Sequence, residues 1–430
     1  TATINTKALS VSGTTAANKT YDGTNTATIT VGTISGFVGS ETVTATATGT
    51  FDSANAGSRT ATAVYTLVNG TGGGLAANYS LANSSPTATI NTKALSVSGT
   101  TAANKTYDGT NTATITVGTI SGFVGSETVT ATATGTFDSA NAGSRTATAV
   151  YTLVNGTGGG LAANYSLANS SPTATISAKT LTATASAANK TYDANTTANV
   201  TLTFTGLVGS ETLGQTVAAT FNSANAGSRT ATVNSITLTD GTGLAANYTI
   251  STGQTATATI NTKALSVSGT TAANKTYDGT NTATITVGTI SGFVGSETVT
   301  ATATGTFDSA NAGSRTATAV YTLVNGTGGG LAANYSLANS SPTATINTKA
   351  LSVSGTTAAN KTYDGTNTAT ITVGTISGFV GSETVTATAT GTFDSANAGS
   401  RTATAVYTLV NGTGGGLAAN YSLANSSPTA

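Results

Sequence analysis

Histidine, cysteine, methionine and tryptophan are all absent from this 430-residue chain, and charge is scarce, at 7% of residues. Each absence excludes something. Without His or Cys there is no imidazole base, no thiolate nucleophile, no disulfide and no zinc site of the usual ligand types, so the commonest means of acid–base and metal chemistry are missing. The chain is accordingly read as a non-enzyme without a cofactor. The 15 Lys plus Arg balance 15 Asp plus Glu, which leaves no basic stripe for nucleic acid or for an anionic membrane surface. No apolar run approaches the roughly 18 residues that suggest membrane insertion as a helix. The start, Thr1-Ala2-Thr3-Ile4, has neither an initiator Met nor a signal segment, so a fragment or processed piece of a longer product is expected. Lack of Cys suits an exported protein as well as a cytosolic one.

What is present is repetition. Thr1 to Pro86 recurs identically as Thr87 to Pro172, Thr257 to Pro342 and Thr343 to Pro428, a period of 86 residues, and Thr173 to Ala256 is a divergent copy of 84. That period exceeds the roughly 20–45 residues of a solenoid unit and is long enough for a small core. Each repeat is therefore expected to fold as a domain of its own.

Inside a repeat the hydrophobic period is two: Ala27-Thr28-Ile29-Thr30-Val31 alternates apolar with hydroxyl, as does Thr42 to Thr48, which is a strand pattern. Further strand-like runs are Ala8 to Ser12, Asn18 to Tyr21, Ile34 to Val38, Arg59 to Val68, Asn78 to Ala82 and Thr87 to Ile90. Turn residues separate them at Asp22-Gly23, Gly32, Gly39-Ser40, Asp52 to Gly57 and Asn69 to Gly74. Leu, Ile, Val and Phe supply only 15 of the first 86 residues, a level at which disorder is a competitor. Balanced charge, one Pro per identical repeat and abundant Thr and Val decide for folded β structure. Seven or eight short strands per repeat predict an all-β fold, a tandem array of small antiparallel β-sandwiches of immunoglobulin-like type in an extended rod. A β-grasp-like mixed-β arrangement is the alternative.

The domain edges are shifted from the repeat frame, because Thr87 to Ile90 reads as a closing strand and Lys93 to Val97 as the next opening one. The predicted organisation is a leftover closing strand at 1–6, repeats at 7–92 and 93–178, a divergent repeat at 179–262, and repeats at 263–348 and 349–430, the last without its closing strand. A two-residue linker holds neighbours end to end. Self-contained globules roughly 30–40 Å long then give five repeats a span on the order of 150–200 Å.

The candidate residues are Lys19, Tyr21, Asp22, Gly23, Asp52, Arg59 and Tyr79, and all of them are read as structural. Asp22 starts a turn and can bond its own backbone two residues on, while the divergent copy has Ala194 where the others have Gly. Tyr21 offers a ring for burial and a hydroxyl that needs a partner. Asp52 to Gly57 faintly resembles a calcium loop, but its one acid becomes Asn222 in the divergent copy, too few carboxylates for six to eight oxygen ligands. Gly70-Thr71-Gly72-Gly73-Gly74 lacks the Lys-Ser/Thr ending of a phosphate loop and reads as a flexible hairpin loop. Asp22, Glu41 and Asp52 are matched in number by Lys7, Lys19 and Arg59, which predicts ion pairs on a sheet rim. Thr44, Thr46, Thr48 and Thr50 line one strand face, where Thr is the β-former that a wet surface tolerates. Ala77-Asn78-Tyr79 is placed like the tyrosine corner of an immunoglobulin-like domain.

Together Lys-Thr-Tyr-Asp-Gly, Phe51 to Arg59, Leu75 to Leu81 and Ile90 to Leu95 resemble the YDG-type repeats of large bacterial surface proteins, and the resemblance covers every repeat. It implies extracellular stalk modules of filamentous-haemagglutinin-like adhesins on the bacterial cell surface. The partners expected are neighbouring repeats of the same chain and, in a filament formed by strand exchange, other copies. The rival reading has the repeats themselves bind a glycan, ice or another surface.

Overall fold

The computed structural model describes residues Thr1–Ala430. The chain is all-β, a tandem series of small β-sandwiches without an α-helix. In the first repeat the strands are β1 (Lys7–Ser12), β2 (Thr15–Ala16), β3 (Lys19–Thr20), β4 (Thr26–Ala27), β5 (Ile29–Thr30), β6 (Thr33–Ser35), β7 (Val43–Phe51), β8 (Gly57–Asn69), β9 (Tyr79–Leu81) and β10 (Thr87–Asn91). A front sheet has the order β6-β1-β9, a back sheet the order β3-β10-β8-β7-β4, and β2 pairs with β5.

The frame of each repeat is the long antiparallel hairpin β7–β8, in register from Val43↔Asn69 to Phe51↔Ala61. Its alternation sorts the side chains. Val43, Phe51, Ala61 and Ala63 turn inward and are buried, whereas Thr44, Thr46, Thr48 and Thr50 are exposed. Gly49 is small because the chain crosses it: a Cβ there would lie 2.5 Å from the Ala27 carbonyl oxygen and from Ile29 Cγ1. At the front end of the hairpin Val43 packs with Leu9 and Tyr79, and at the back end Phe51 and Ala61 pack with Tyr21, Ala27, Ala88 and Ile90.

Two pairings in each of the first four repeats are parallel, in the first repeat β1 with β9 (Lys7↔Tyr79 to Leu9↔Leu81) and β10 with β3 (Ile90↔Lys19, Asn91↔Thr20). The sandwich is thus mixed rather than wholly antiparallel, because the first strand and the closing strand both run beside chain segments of the same direction. β10 also pairs antiparallel with β8, from Thr87↔Thr60 to Ile90↔Gly57.

The expectation of a self-contained core in each repeat is not met. One cluster joins Tyr21, Ala27, Phe51, Ala61, Ala88 and Ile90 to Leu95, Val129 and Tyr165 of the following repeat. A sheet of this size with so few large apolar side chains cannot enclose its own back face, so the next repeat closes it. Tertiary contacts divide the chain into two compact units, Thr1–Ala183 with Thr203–Thr216 and Ile236–Ser251, and Thr184–Leu202 with Val217–Ser235 and Thr252–Ala430. The division falls inside the divergent repeat. Each unit keeps its own joints between repeats intact.

Candidate functional site at the joint between repeats

The signature segments converge at the joint. In the first unit Tyr21, just beyond β3, is 4% exposed and meets Tyr165 of the next repeat edge to face, with ring centroids 5.5 Å apart. Both hydroxyls donate to one carboxylate, Tyr21 to Glu127 Oε1 and Tyr165 to Glu127 Oε2, each at 2.6 Å. Tyr165 also accepts the Val124 N–H at 3.0 Å, and the Glu127 N–H bonds the Val124 carbonyl at 3.0 Å. The turn that carries Glu127 is therefore tied to the ring that Glu127 holds.

A second clasp lies beside the first. A 3₁₀ turn, Ala162–Asn164, presents Asn164, which is fully buried. Its Oδ1 accepts the Ala56 N–H at 2.9 Å and its Nδ2 donates to Asn55 Oδ1 at 3.0 Å. The receiving turn is braced from behind by Arg59, whose Nε and Nη2 donate to the carbonyls of Asn55 and Ala56 at 2.7 and 2.9 Å. Two of the carbonyls that a calcium ion could have used already face a guanidinium. No group of three or more His, Cys, Asp or Glu comes together that could hold a metal ion.

The arrangement recurs. Tyr107 and Tyr248 share Glu211 within the first unit. In the second unit Tyr192 and Tyr335 share Glu297, and Tyr277 and Tyr421 share Glu383. The asparagine clasp recurs with them at Asn247, Asn334 and Asn420. Burial, then the bond to Glu127 and its negative charge, push the Tyr21 phenol up to about 12, and Tyr107, Tyr192 and Tyr277 likewise. Burial and the same carboxylate raise Tyr165 as well. Tyr363, in the last repeat, shows the ring without a joint: it is 65% exposed.

The other candidates are placed around this joint. Lys19 Nζ lies 2.7 Å from Asp22 Oδ1 and also donates to the carbonyls of Thr24 and Thr26. Asp22 Oδ1 accepts the Thr24 N–H at 2.9 Å, closing the predicted turn. In the next repeat the Lys105 ammonium pulls the Asp108 carboxyl down to about 2, against an opposing effect of burial. Gly23 has φ 79, and a Cβ on it would come within 3.0 Å of Val124 Cγ1 across the joint. Ala194 takes the same left-handed region at φ 64.

The rim ion pairs expected of Glu41, Asp52, Lys7 and Arg59 do not form. The Lys–Asp pair of the turn is the ion pair each repeat makes. Glu41 accepts from Tyr79 at 2.5 Å, Arg59 serves carbonyls, and Asp52 is exposed. Glu41 is occupied by a phenol, as Glu127 is by two, and the Arg59 guanidinium by two carbonyls. Nor is Tyr79 a tyrosine corner. Its hydroxyl reaches Glu41 and the Val38 N–H, 38 and 41 residues away, instead of the backbone just upstream. The Gly70–Gly74 loop is tied down, with Gly70 N–H on the Gly74 carbonyl, Thr42 N–H on the Thr71 carbonyl, and the hydroxyls of Thr42 and Thr71 2.8 Å apart. Glu127 and Asn164 were not among the sequence candidates, although Glu41 and Asn78 stand at the same places in the first repeat.

Fold and joint together define an all-β tandem-repeat protein in which neighbouring repeats of one compact unit share a core. The YDG domain matches residues 5–88, 91–174, 177–258, 261–344 and 347–430, and the chain belongs to that family. No curated protein sequence matches it. Similar solved structures include Drosophila N-cadherin EC1-4, at 9% identity, TM-score 0.21, and coverage of 68% of this chain and 83% of that one. Domains 4-9 of surface layer protein SbsC match at 12% identity and TM-score 0.17, over 94% of this chain and 82% of that one. Sidekick-1 immunoglobulin domains 1-5 match at 11% and 0.21, over 77% and 78%. At these TM-scores the likenesses carry no argument about function.

Proposed function

We propose that the repeats are a spacer, the structural stalk of an extracellular bacterial adhesin or surface fibre in which other segments do the recognising. The observation that supports this is the use made of the signature residues. Tyr21, Asn55, Glu127 and Asn164 bond, and the Tyr165 ring packs, onto a neighbouring repeat, so the groups best suited to bind a ligand are engaged in joining domains. A single residue, Thr92, separates β10 from the strand that opens the next repeat, Lys93–Ser98, called β11. Neighbours joined by so little slack and by a shared core hold a set distance.

Small-angle scattering of residues 7–178, two repeats within one compact unit, tests the proposal. A maximum dimension on the order of 60–80 Å is expected from two repeats of about 30–40 Å placed end to end, and a compact globule overturns it. Saturable binding of the chain to a glycan or mineral surface, abolished by substitutions at Thr44, Thr46, Thr48 and Thr50, would replace the spacer by a binding module.

A further inference from the structure

The topology of one repeat fixes how it meets a pull on its ends. The chain comes in at Lys7, the start of β1, beside Tyr79, and the two strands run in the same direction from Lys7↔Tyr79 to Leu9↔Leu81. Beyond Leu81 the chain follows β8 without turning back. Ser84 exchanges both backbone bonds with Ala63, the Pro86 carbonyl accepts the Ala61 N–H, and β10 continues from Thr87↔Thr60 to Ile90↔Gly57. It leaves at Asn91, beside Thr20 of the parallel strand β3. The two ends of the repeat thus lie at opposite ends of one continuous run, Tyr79 to Asn91.

Tension drags β1 toward its own start and draws that run toward its own end. In a parallel pair those displacements are opposed along the strand axis. Every hydrogen bond of β1 with β9, and of β10 with β8 and β3, is then loaded together, as in sliding, and none can be peeled off singly. The second repeat repeats the geometry, with Lys93↔Tyr165 at its start and Ser177 beside Thr106 at its end. The fourth does so in the second unit, from Lys263↔Tyr335 to Asn347 beside Thr276. Thr92 alone passes the load from β10 to β11, and Leu95 of β11 is buried in the same cluster as Ile90 of β10. No loose linker absorbs it.

We infer that the YDG repeat is a load-bearing module, in which shear-loaded parallel strands at both chain ends resist tension along the array. The inference rests on the spacer reading and adds the force that a spacer must withstand.

Single-molecule pulling of the 430-residue chain through its termini tests it, because forced unfolding follows the unfolding rate rather than the equilibrium stability. Evenly spaced ruptures are expected, each releasing somewhat under about 300 Å of contour, since 86 residues extend by roughly 3.3–3.6 Å each. Because the chain has no Cys, handles at Ser126→Cys and Thr157→Cys are unique and draw the hairpin Val129–Phe137 with Gly143–Asn155 apart from its open end, one bond after another. The terminal rupture force is expected to exceed this unzipping force at least about twofold, as simultaneous loading of a ladder predicts. Equal forces in the two directions, or smooth extension through the termini without peaks, overturn the inference. The second outcome needs no substituted variant. Neither bears on the span measured by scattering, so a rigid spacer that yields easily to force would leave the spacer proposal standing.

Discussion

Single residues at the joint carry an unusual combination of burial and charge. Tyr21 keeps its proton to about pH 12 through burial and Glu127, whereas an unfolded Tyr loses it near about pH 10. A group whose folded pKa is raised binds its proton more tightly when folded. Its stabilising effect is therefore complete below about pH 10 and is lost as pH rises through about 12. Alkaline titration followed by tyrosine absorbance should show a late-ionising class made of the joint phenols, with loss of β-structure accompanying it. If all phenols ionise together near pH 10 with the fold intact, the shared-carboxylate geometry is wrong. The backbone offers a second test. Ala194 has φ 64, where a Cβ costs roughly 1–2 kcal/mol, and the sister repeats place Gly there. Ala194→Gly should stabilise the divergent repeat by about 1 kcal/mol, read by hydrogen exchange of the amides around Thr191 and Tyr192. Unchanged protection refutes it.

At the scale of elements, the strands and turns were largely legible in the sequence and the joint was not. Alternation along Thr42–Thr48 and Arg59–Val68 placed the hairpin because a strand buries every second residue whatever lies further off. The Asp22 turn was legible because its bonds to Thr24 and Lys19 span two and three residues. Tyr21 was recognised as a buried ring, but its partner Glu127 lies 106 residues away, and local pattern holds no information on such a pairing. The same limit misled part of the pairing of charges: of the ion pairs suggested by equal numbers of acids and bases, the fold makes Lys19–Asp22 but none with Glu41, Asp52, Lys7 or Arg59. Substitution resolves what the joint contributes. Glu127→Ala leaves two buried hydroxyls without their charged acceptor, at an expected cost of about 1.5–3 kcal/mol for each bond. Asn164→Ala orphans the Ala56 N–H and should cost about 1–3 kcal/mol. Chemical denaturation of a two-repeat fragment, residues 7–178, checks both. A loss under about 0.5 kcal/mol for either would mean that the clasp is a contact without energetic weight.

For the molecule as a whole, the shared cores change what counts as a folding unit. An 86-residue domain of ordinary stability is held by about 4–13 kcal/mol, at roughly 0.05–0.15 kcal/mol per residue. Burying the Tyr21 ring alone is worth about 1.5–3 kcal/mol, and its bond to the Glu127 carboxylate about 1.5–3 more. One joint is thus comparable to the stability of a repeat. In such an array stability is a sum of repeat terms and nearest-neighbour terms, and the neighbour term here is large. A single repeat, residues 7–92, has no joint: Tyr21 is left as exposed as Tyr363, while Leu9, Val43 and Tyr79 stay buried within the repeat. Residues 7–178 contain one complete joint, all of it within one compact unit. The longer fragment should therefore unfold at a clearly higher denaturant concentration than the single repeat. Tyr21→Ala in the longer fragment should lower its midpoint most of the way to that of the single repeat. The same substitution in the single repeat should do little, since the ring there has nothing to pack on. Equal midpoints for one and two repeats, or equal losses from Tyr21→Ala in both, would show that each repeat is stable by itself and that the joint merely aligns finished domains.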